Sequence, residues 1–238
     1  MVGIGPGGSL DRTRRAEEAI ARSQVVAGYT RYLELISDLT AGKELIASGM
    51  TQEVERCRKA LVCGREGKIV SLVSSGDPGV YGMAGLALEL AITEGFRVPI
   101  EIIPGVTSAN AAAARMGAPL MLDYATVSLS DLLVPWKVIC ARLEAVAAAD
   151  LVVALYNPRS KKRVKQLGEA AAILRKHRPG TTPVGLATDV GTEEERIVRS
   201  DLNRFLEEEI GMRTVIIVGN RSSRFLDGWF LTPRGYKL

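Results

Sequence analysis

Histidine is nearly absent from this 238-residue chain, which has His177 alone. Cysteine occurs three times, at Cys57, Cys63 and Cys140, with no CxxC spacing. A zinc constellation needs several such ligands close in sequence or space, so no metal site is expected. The odd thiols read as reduced core or surface residues rather than a disulfide framework. Aromatic residues make up 5% of the chain, and none interleaves with its basic run as a nucleic-acid stacking surface would. No apolar run is long enough to span a bilayer, and none follows a basic start as in a secretory signal. A cytoplasmic protein with no membrane and no nucleic-acid partner is the expectation.

The remainder is ordinary for a globular chain: 47% hydrophobic and 24% charged residues, with a net charge of +4. That modest excess suits an anionic ligand without demanding one. From the N-terminus, short apolar runs alternate with helical periodicity. Strands are expected at 2–5, 25–28, 68–76 and 98–105, and helices at 11–23, 52–67, 82–95 and 107–117. Strand and helix in alternation imply a parallel sheet with crossover helices. Beyond "RMGAPL" the pattern changes to an extended segment, 118–133. Helix (136–149), strand (150–158), helix (161–178), strand and turn (182–191), strand edge and helix (196–209), strand (213–220) and a tail (228–236) follow. Two α/β domains, 1–117 and 118–238, are expected.

The opening "VGIGPGG" fits G-x-G-x-x-G, the dinucleotide fingerprint, but three features oppose that reading. Only Met1 and Val2 precede Gly3, so the feeding strand is short. Pro6 lacks the N–H that a pyrophosphate would need. The next strand ends in Gly28 instead of an acid for a ribose hydroxyl. A tight turn or a different ligand loop remains.

Two further loops of this kind end predicted strands. "SSGDPGVYGM" (74–83) sets Asp77 beyond a buried strand, where open parallel sheets bind ligands. There it accepts hydrogen bonds from an amine or hydroxyls, or it caps a helix with Pro78 at the first position. "IIPGVTSANAAAA" (102–114) sets Thr107 and Ser108 at a helix start, as caps or as ligand groups. His177, in "LRKHRPG", reads as a solvated partner of a helix C-terminus.

"VGIGPGG", "SSGDPGVYGM", "IIPGVTSANAA", "ALYNPRSKKR" and "TVIIVGN…TPRGY", in this order and across the whole chain, resemble the tetrapyrrole methylases. Within that family "VVAGYTRYLELI" (25–36), "SLSDLLVPWKVICARLEA" (128–145) and "LYNPRSKKR" (155–163) are most similar to members that methylate C-17 of precorrin-3B or its cobalt form, with ring contraction. The resemblance implies two αβα domains with the ligand cleft between them, a homodimer, and S-adenosyl-L-methionine as cofactor. It implies cofactor contacts at Gly76, Asp77, Val80, Thr107, Ser108 and Asn157, and at Ala187 or Val190. Pro6 would border the same trough. The start before the first loop is shorter than the family leads one to expect.

A precorrin is rimmed with carboxylates, so Arg159, Lys161 and Lys162 of "RSKKRVK", and Arg31 of "GYTRYL", are candidate substrate contacts. Arg163 and Lys165 belong to the same run. As a helix start, this run also reads as a solvated face. Ring contraction moves protons, and Tyr29, Asp123, Ser130 and Asp131 are the candidate acid–base residues, with Tyr81, Tyr124 and Ser128 beside them. Other readings are methylation of another precorrin carbon or of ribosomal RNA, or a non-catalytic metabolite sensor built on the same loops.

Overall fold

A computed structural model describes residues 1–237. The chain divides by its internal contacts into two compact units, 1–108 with 191–193, and 109–190 with 194–238. The expected division after residue 117 thus falls nine residues later than this one, and a short return segment joins the first unit.

The first unit is built on a parallel sheet. Its strands are β1 (Val2–Gly3), β2 (Val25–Tyr29), β3 (Glu44–Ser48) and β4 (Val70–Ser74), in the order β1-β4-β2-β3. All its pairings are parallel. Helices α1 (Arg14–Arg22), α2 (Thr30–Glu34), α3 (Glu53–Arg65) and α4 (Ala84–Thr93) complete it. α1 starts where Thr13 accepts from the Ala16 N–H at 3.1 Å, a side-chain N-cap. Its Ala16 and Ile20 then face inward and pack with Ile4, Val26, Ile36 and Val73. A second core, with Cys57, Leu61, Leu72, Ala87 and Leu90, lies under α3 and α4.

Two expectations fail here. Residues 98–105 form no strand beyond an isolated bridge at Ile103. β1 is two residues long and offers one bridge, Val2 to Ile103, so no ladder develops. β3 and α2 were not anticipated, because β3's side chains are exposed or half-exposed and carry no apolar alternation.

The second unit holds α5 (Ser108–Met116, whose first residue falls in the first unit), β5 (Gly117–Ala118), β6 (Tyr124–Ser128), α6 (Trp136–Ala148), β7 (Val152–Tyr156), α7 (Gln166–His177), β8 (Pro183–Thr188), β9 (Arg196–Asp201) and β10 (Thr214–Val218). Its main sheet has the order β6-β7-β10-β8-β9. β6 and β7 are parallel, whereas β10 runs antiparallel to both β7 and β8. β7 and β10 are wholly apolar over most of their length, as expected of strands covered on both faces. α6 and α7 pack on the sheet through Leu143, Leu167 and Leu174. The tail expected after residue 228 is instead ordered as β12 (Trp229–Leu231), paired with β11 (Arg224–Leu226) and with β5. The helix expected within 196–209 is a strand, β9, and a single 3-10 turn at Phe205–Glu207.

Candidate functional site

In the first unit the carboxyl ends of β1 and β4 and the 103–108 segment carry the three glycine loops, and the backbone binds them to one another. Gly5 and Gly76 exchange hydrogen bonds, Gly5 N–H to Gly76 O at 3.2 Å and the reverse at 2.7 Å. Gly3 and Gly105 are glycines because of the packing at this crossing. A Cβ on Gly3 would lie 2.7 Å from both Gly105 N and Gly76 O, and one on Gly105 would run into Gly76 O.

Asp77 ties this crossing together. Its Oδ1 accepts from Gly79 N–H at 2.7 Å and its Oδ2 from Gly105 N–H at 3.0 Å. It does not cap α4, whose N-cap is Met83. Each carboxylate oxygen keeps lone pairs beyond the one used. Val80, Thr107 and Ser108 sit on the same loops, half-buried, with Pro6 on the first. Tyr29 ends β2 and packs edge-on against Tyr32, ring centroids 5.2 Å apart, and Arg31 follows it in α2. Tyr81, exposed and with φ +54°, follows the second loop.

The first loop does not open directly into a helix. A 3-10 turn at Ser9–Asp11 intervenes, and α1 begins at Arg14. The helix N-terminus that would face a pyrophosphate is therefore displaced from Gly8, in keeping with the reading against a dinucleotide. Gly191 packs on the Gly8 backbone and Pro6 instead.

In the second unit, β6, β7 and β8 point the same way. Ser128, Ser130, Asp131, Asn157, Arg159, Lys161 and Lys162 gather past the carboxyl ends of β6 and β7, and Val190 follows β8. Asn157 is the first residue beyond β7 and has φ +50°, an uncommon conformation for a side-chain-bearing residue. Its Nδ2 donates to Ser128 Oγ at 3.0 Å, and the Ser130 N–H reaches the same oxygen at 3.2 Å. Asp131 accepts from Gln166 Nε2 at 2.8 Å. Lys161 and Lys162 are exposed.

Two candidates are not brought to this end. Asp123 and Tyr124 stand at the amino end of β6, about 13 Å of strand away from Ser128. Ala187, next to last in β8, is fully buried between β9 and β10, and Val190 just beyond that strand is 4% exposed. The sequence places Arg163 in a basic run that meets substrate carboxylates or forms a solvated helix start, yet it is 9% exposed and donates to the Asn157 carbonyl from Nε and Nη2. Only its spacing from the "YNP" turn would have signalled this. His177, expected to be solvated, pins α7 to α6 through Glu144 Oε1 at 2.6 Å.

None of the three thiols is activated. Burial pushes the Cys57 thiol up to about 11 and raises those of Cys63 and Cys140. A groove of about 640 Å³, lined by Leu61, Val70, Leu72, Val98 and Ile100, opens at the amino ends of the first unit's strands, opposite the glycine loops. Among the described residues no helix is long and apolar enough to cross a membrane.

Two α/β units with loops at the carboxyl ends of open sheets place the chain in the open-sheet α/β class, whose members bind ligands at such strand ends. Its family follows from comparison with known proteins. The sequence profile of the Tetrapyrrole (Corrin/Porphyrin) Methylases matches residues 1–205. The chain belongs to this family. It is 46% identical over 241 residues to the cobalt-factor III methyltransferase of Priestia megaterium, covering all of this chain and 45% of that protein. The chain thus spans about half the length of that relative. It is 42% identical to the probable cobalt-factor III C(17)-methyltransferase of Salmonella typhimurium, covering 100% of this chain and 99% of that protein. The crystal structure of the methyltransferase CobJ superposes with a TM-score of 0.92 at 36% identity, over 98% of both chains.

Proposed function

We propose that the protein transfers a methyl group from S-adenosyl-L-methionine to C-17 of precorrin-3B or its cobalt form, with ring contraction, in cobalamin biosynthesis. The 42% identity to the Salmonella relative, named a probable cobalt-factor III C(17)-methyltransferase and covered to 99%, carries this reading, and the likeness to the methyltransferase CobJ over 98% of both chains supports it. The names of the P. megaterium and Salmonella relatives favour the cobalt form, cobalt-factor III.

The residues at the strand ends suit this cofactor. It carries an amine, ribose hydroxyls and an adenine, and no phosphate. The first unit offers a carboxylate with unused lone pairs at Asp77, hydroxyls at Thr107 and Ser108, and closely approached backbone at the glycine loops. When bound, S-adenosyl-L-methionine supplies an already activated methyl group. The chain then has to hold and orient the reactants, and needs no nucleophile of its own. That agrees with thiols raised in pKa by burial and a lone histidine engaged between two helices.

Tyr29, Ser130 and Asp131 are the acid–base candidates that lie at strand carboxyl ends, and so they remain in the proposal. Asp123, at the other end of β6, is the weakest of the set. Arg31, Arg159, Lys161 and Lys162 would meet substrate carboxylates. A homodimer belongs to the same reading, and sedimentation velocity tests it.

Calorimetric titration with S-adenosylhomocysteine tests the cofactor, with NADH as the control. Saturable binding of the first and none of the second is expected. Binding of NADH alone would return the opening motif to its dinucleotide reading.

A further inference from the structure

Asn157 is held in its left-handed conformation from two sides. Its side-chain amide donates to Ser128 Oγ at 3.0 Å, and its main-chain carbonyl receives Arg163 Nε at 3.1 Å and Nη2 at 2.9 Å. Two prongs of one guanidinium on a single carbonyl fix the direction of that peptide plane. Pro158 follows, so the plane carries no N–H and its carbonyl is its only polar group.

The turn that brings Arg163 back is itself closed. Ser160 N–H donates to the Arg163 carbonyl at 3.0 Å, and Arg163 N–H donates to Ser160 Oγ at 3.0 Å. Arg163 Nη1 leans towards Ser130 Oγ at 3.5 Å, which ties in the loop after β6. The guanidinium donates to neutral oxygens of Asn157 and Ser130, with the Asp131 charge acting on it without a hydrogen bond, although the residue is only 9% exposed. A buried cation without a hydrogen-bonded carboxylate is costly to keep, and solvated neighbours such as Lys161 and Lys162 show that the run does not require burial.

We infer that Arg163 is a positioning residue for the cofactor. It clamps the Asn157 carbonyl and so presents the strand end, with the remaining atom of the Asn157 amide and the Ser128–Ser130 loop, in the form that meets S-adenosyl-L-methionine. The inference rests on the proposed reading that Asn157 contacts the cofactor. Lysine in this place keeps the charge but has one nitrogen, so it holds the carbonyl without fixing its plane. Methionine fills similar space and holds nothing.

The test compares Arg163→Lys and Arg163→Met with the unsubstituted protein. It uses S-adenosylhomocysteine titration, thermal unfolding, and KM for each substrate. The expected result is a Kd for S-adenosylhomocysteine raised about tenfold or more in Arg163→Met, and by less in Arg163→Lys. KM for S-adenosylmethionine rises in parallel, while KM for the tetrapyrrole and kcat at saturation stay within about twofold. Merely structural support would instead move both KM values together with the melting temperature, and that pattern overturns the assignment. Should Arg163→Met fail to fold, Arg163→Lys still decides through the ratio of the two KM values. Unchanged affinity in variants of a protein that does bind S-adenosylhomocysteine overturns the role of Arg163 alone. Absence of binding by the unsubstituted protein overturns the cofactor reading beneath it.

Discussion

Asp77 shows how a residue can be legible in sequence for position and illegible for role. Its place after a buried strand marks it as a ligand group, or as a helix cap. In the structure its two oxygens are spent first on Gly79 and Gly105 N–H groups, which knit two loops. Nothing in the local sequence announces a bond to a residue 28 positions away. Asp77→Ala leaves two backbone donors without these acceptors, and is expected to lower stability by about 2 kcal/mol. It should weaken S-adenosylhomocysteine binding as well. Asp77→Asn, which keeps one acceptor, should fall between. Urea unfolding and calorimetric titration of the two variants check this, and an Asp77→Ala protein of native stability would show that the loops are placed without it.

Gly105 makes a sharper claim at the same scale. A Cβ there meets backbone on two sides, Gly76 O and Gly3, and backbone cannot rotate away as a side chain can. Gly105→Ala is expected to cost about 3 kcal/mol, read as a shift of the urea midpoint. An unchanged midpoint would mean that the crossing is looser than described.

Among the elements, α6 and α7 are joined at their surface by Glu144, which meets His177 Nε2 at 2.6 Å and Lys176 Nζ at 3.5 Å. The His177 hydrogen bond, more than the neighbouring Lys176 charge, holds the Glu144 carboxyl below its ordinary value of 4.5. A carboxylate with a depressed folded pKa stabilises the fold above its unfolded pKa. That contribution disappears as pH falls through the folded value. Glu144→Gln should therefore melt lower than the unsubstituted protein at neutral pH, and the difference should close in acid as the pH falls through the depressed folded-state value. A difference that persists in acid would assign the effect to packing. His177 does end α7, as its basic neighbours suggest, but the pin was not legible, because the acid that recruits it lies 33 residues earlier.

Most of the helices and central strands were legible, because β4, β7 and β10 are rich in continuous apolar runs and the helices carry helical periodicity. The edges were not. β3 is a half-exposed strand whose place is set by pairing with β2, and the β11–β12 hairpin by its partner β5, so neither carries a strong pattern of its own. The 98–105 segment failed in the opposite sense, having the composition of a strand without a partner long enough to pair with.

At the scale of the whole molecule, the net charge of +4 is too small to mark a nucleic-acid surface, and the exposed lysines at the end of β7 are local. Charge reversal at Lys161 and Lys162 is expected to weaken tetrapyrrole binding several-fold while leaving S-adenosylhomocysteine binding unchanged. Salt should weaken tetrapyrrole binding less in that variant than in the unsubstituted protein. Fluorescence titration with the macrocycle at two ionic strengths measures both, and equal affinities would return the lysines to a merely solvated face.

The central claim is methyl transfer to a corrinoid precursor. Its most direct test is incubation of the purified protein with S-adenosyl-L-methionine and either cobalt-factor III or precorrin-3B, followed by mass spectrometry and absorbance. The account predicts a gain of one methyl group on the macrocycle, matched by S-adenosylhomocysteine formed, with loss of the meso-bridge chromophore and preference for the cobalt substrate. Cofactor binding without methylation of either macrocycle, or methyl transfer to ribosomal RNA in its place, would contradict it.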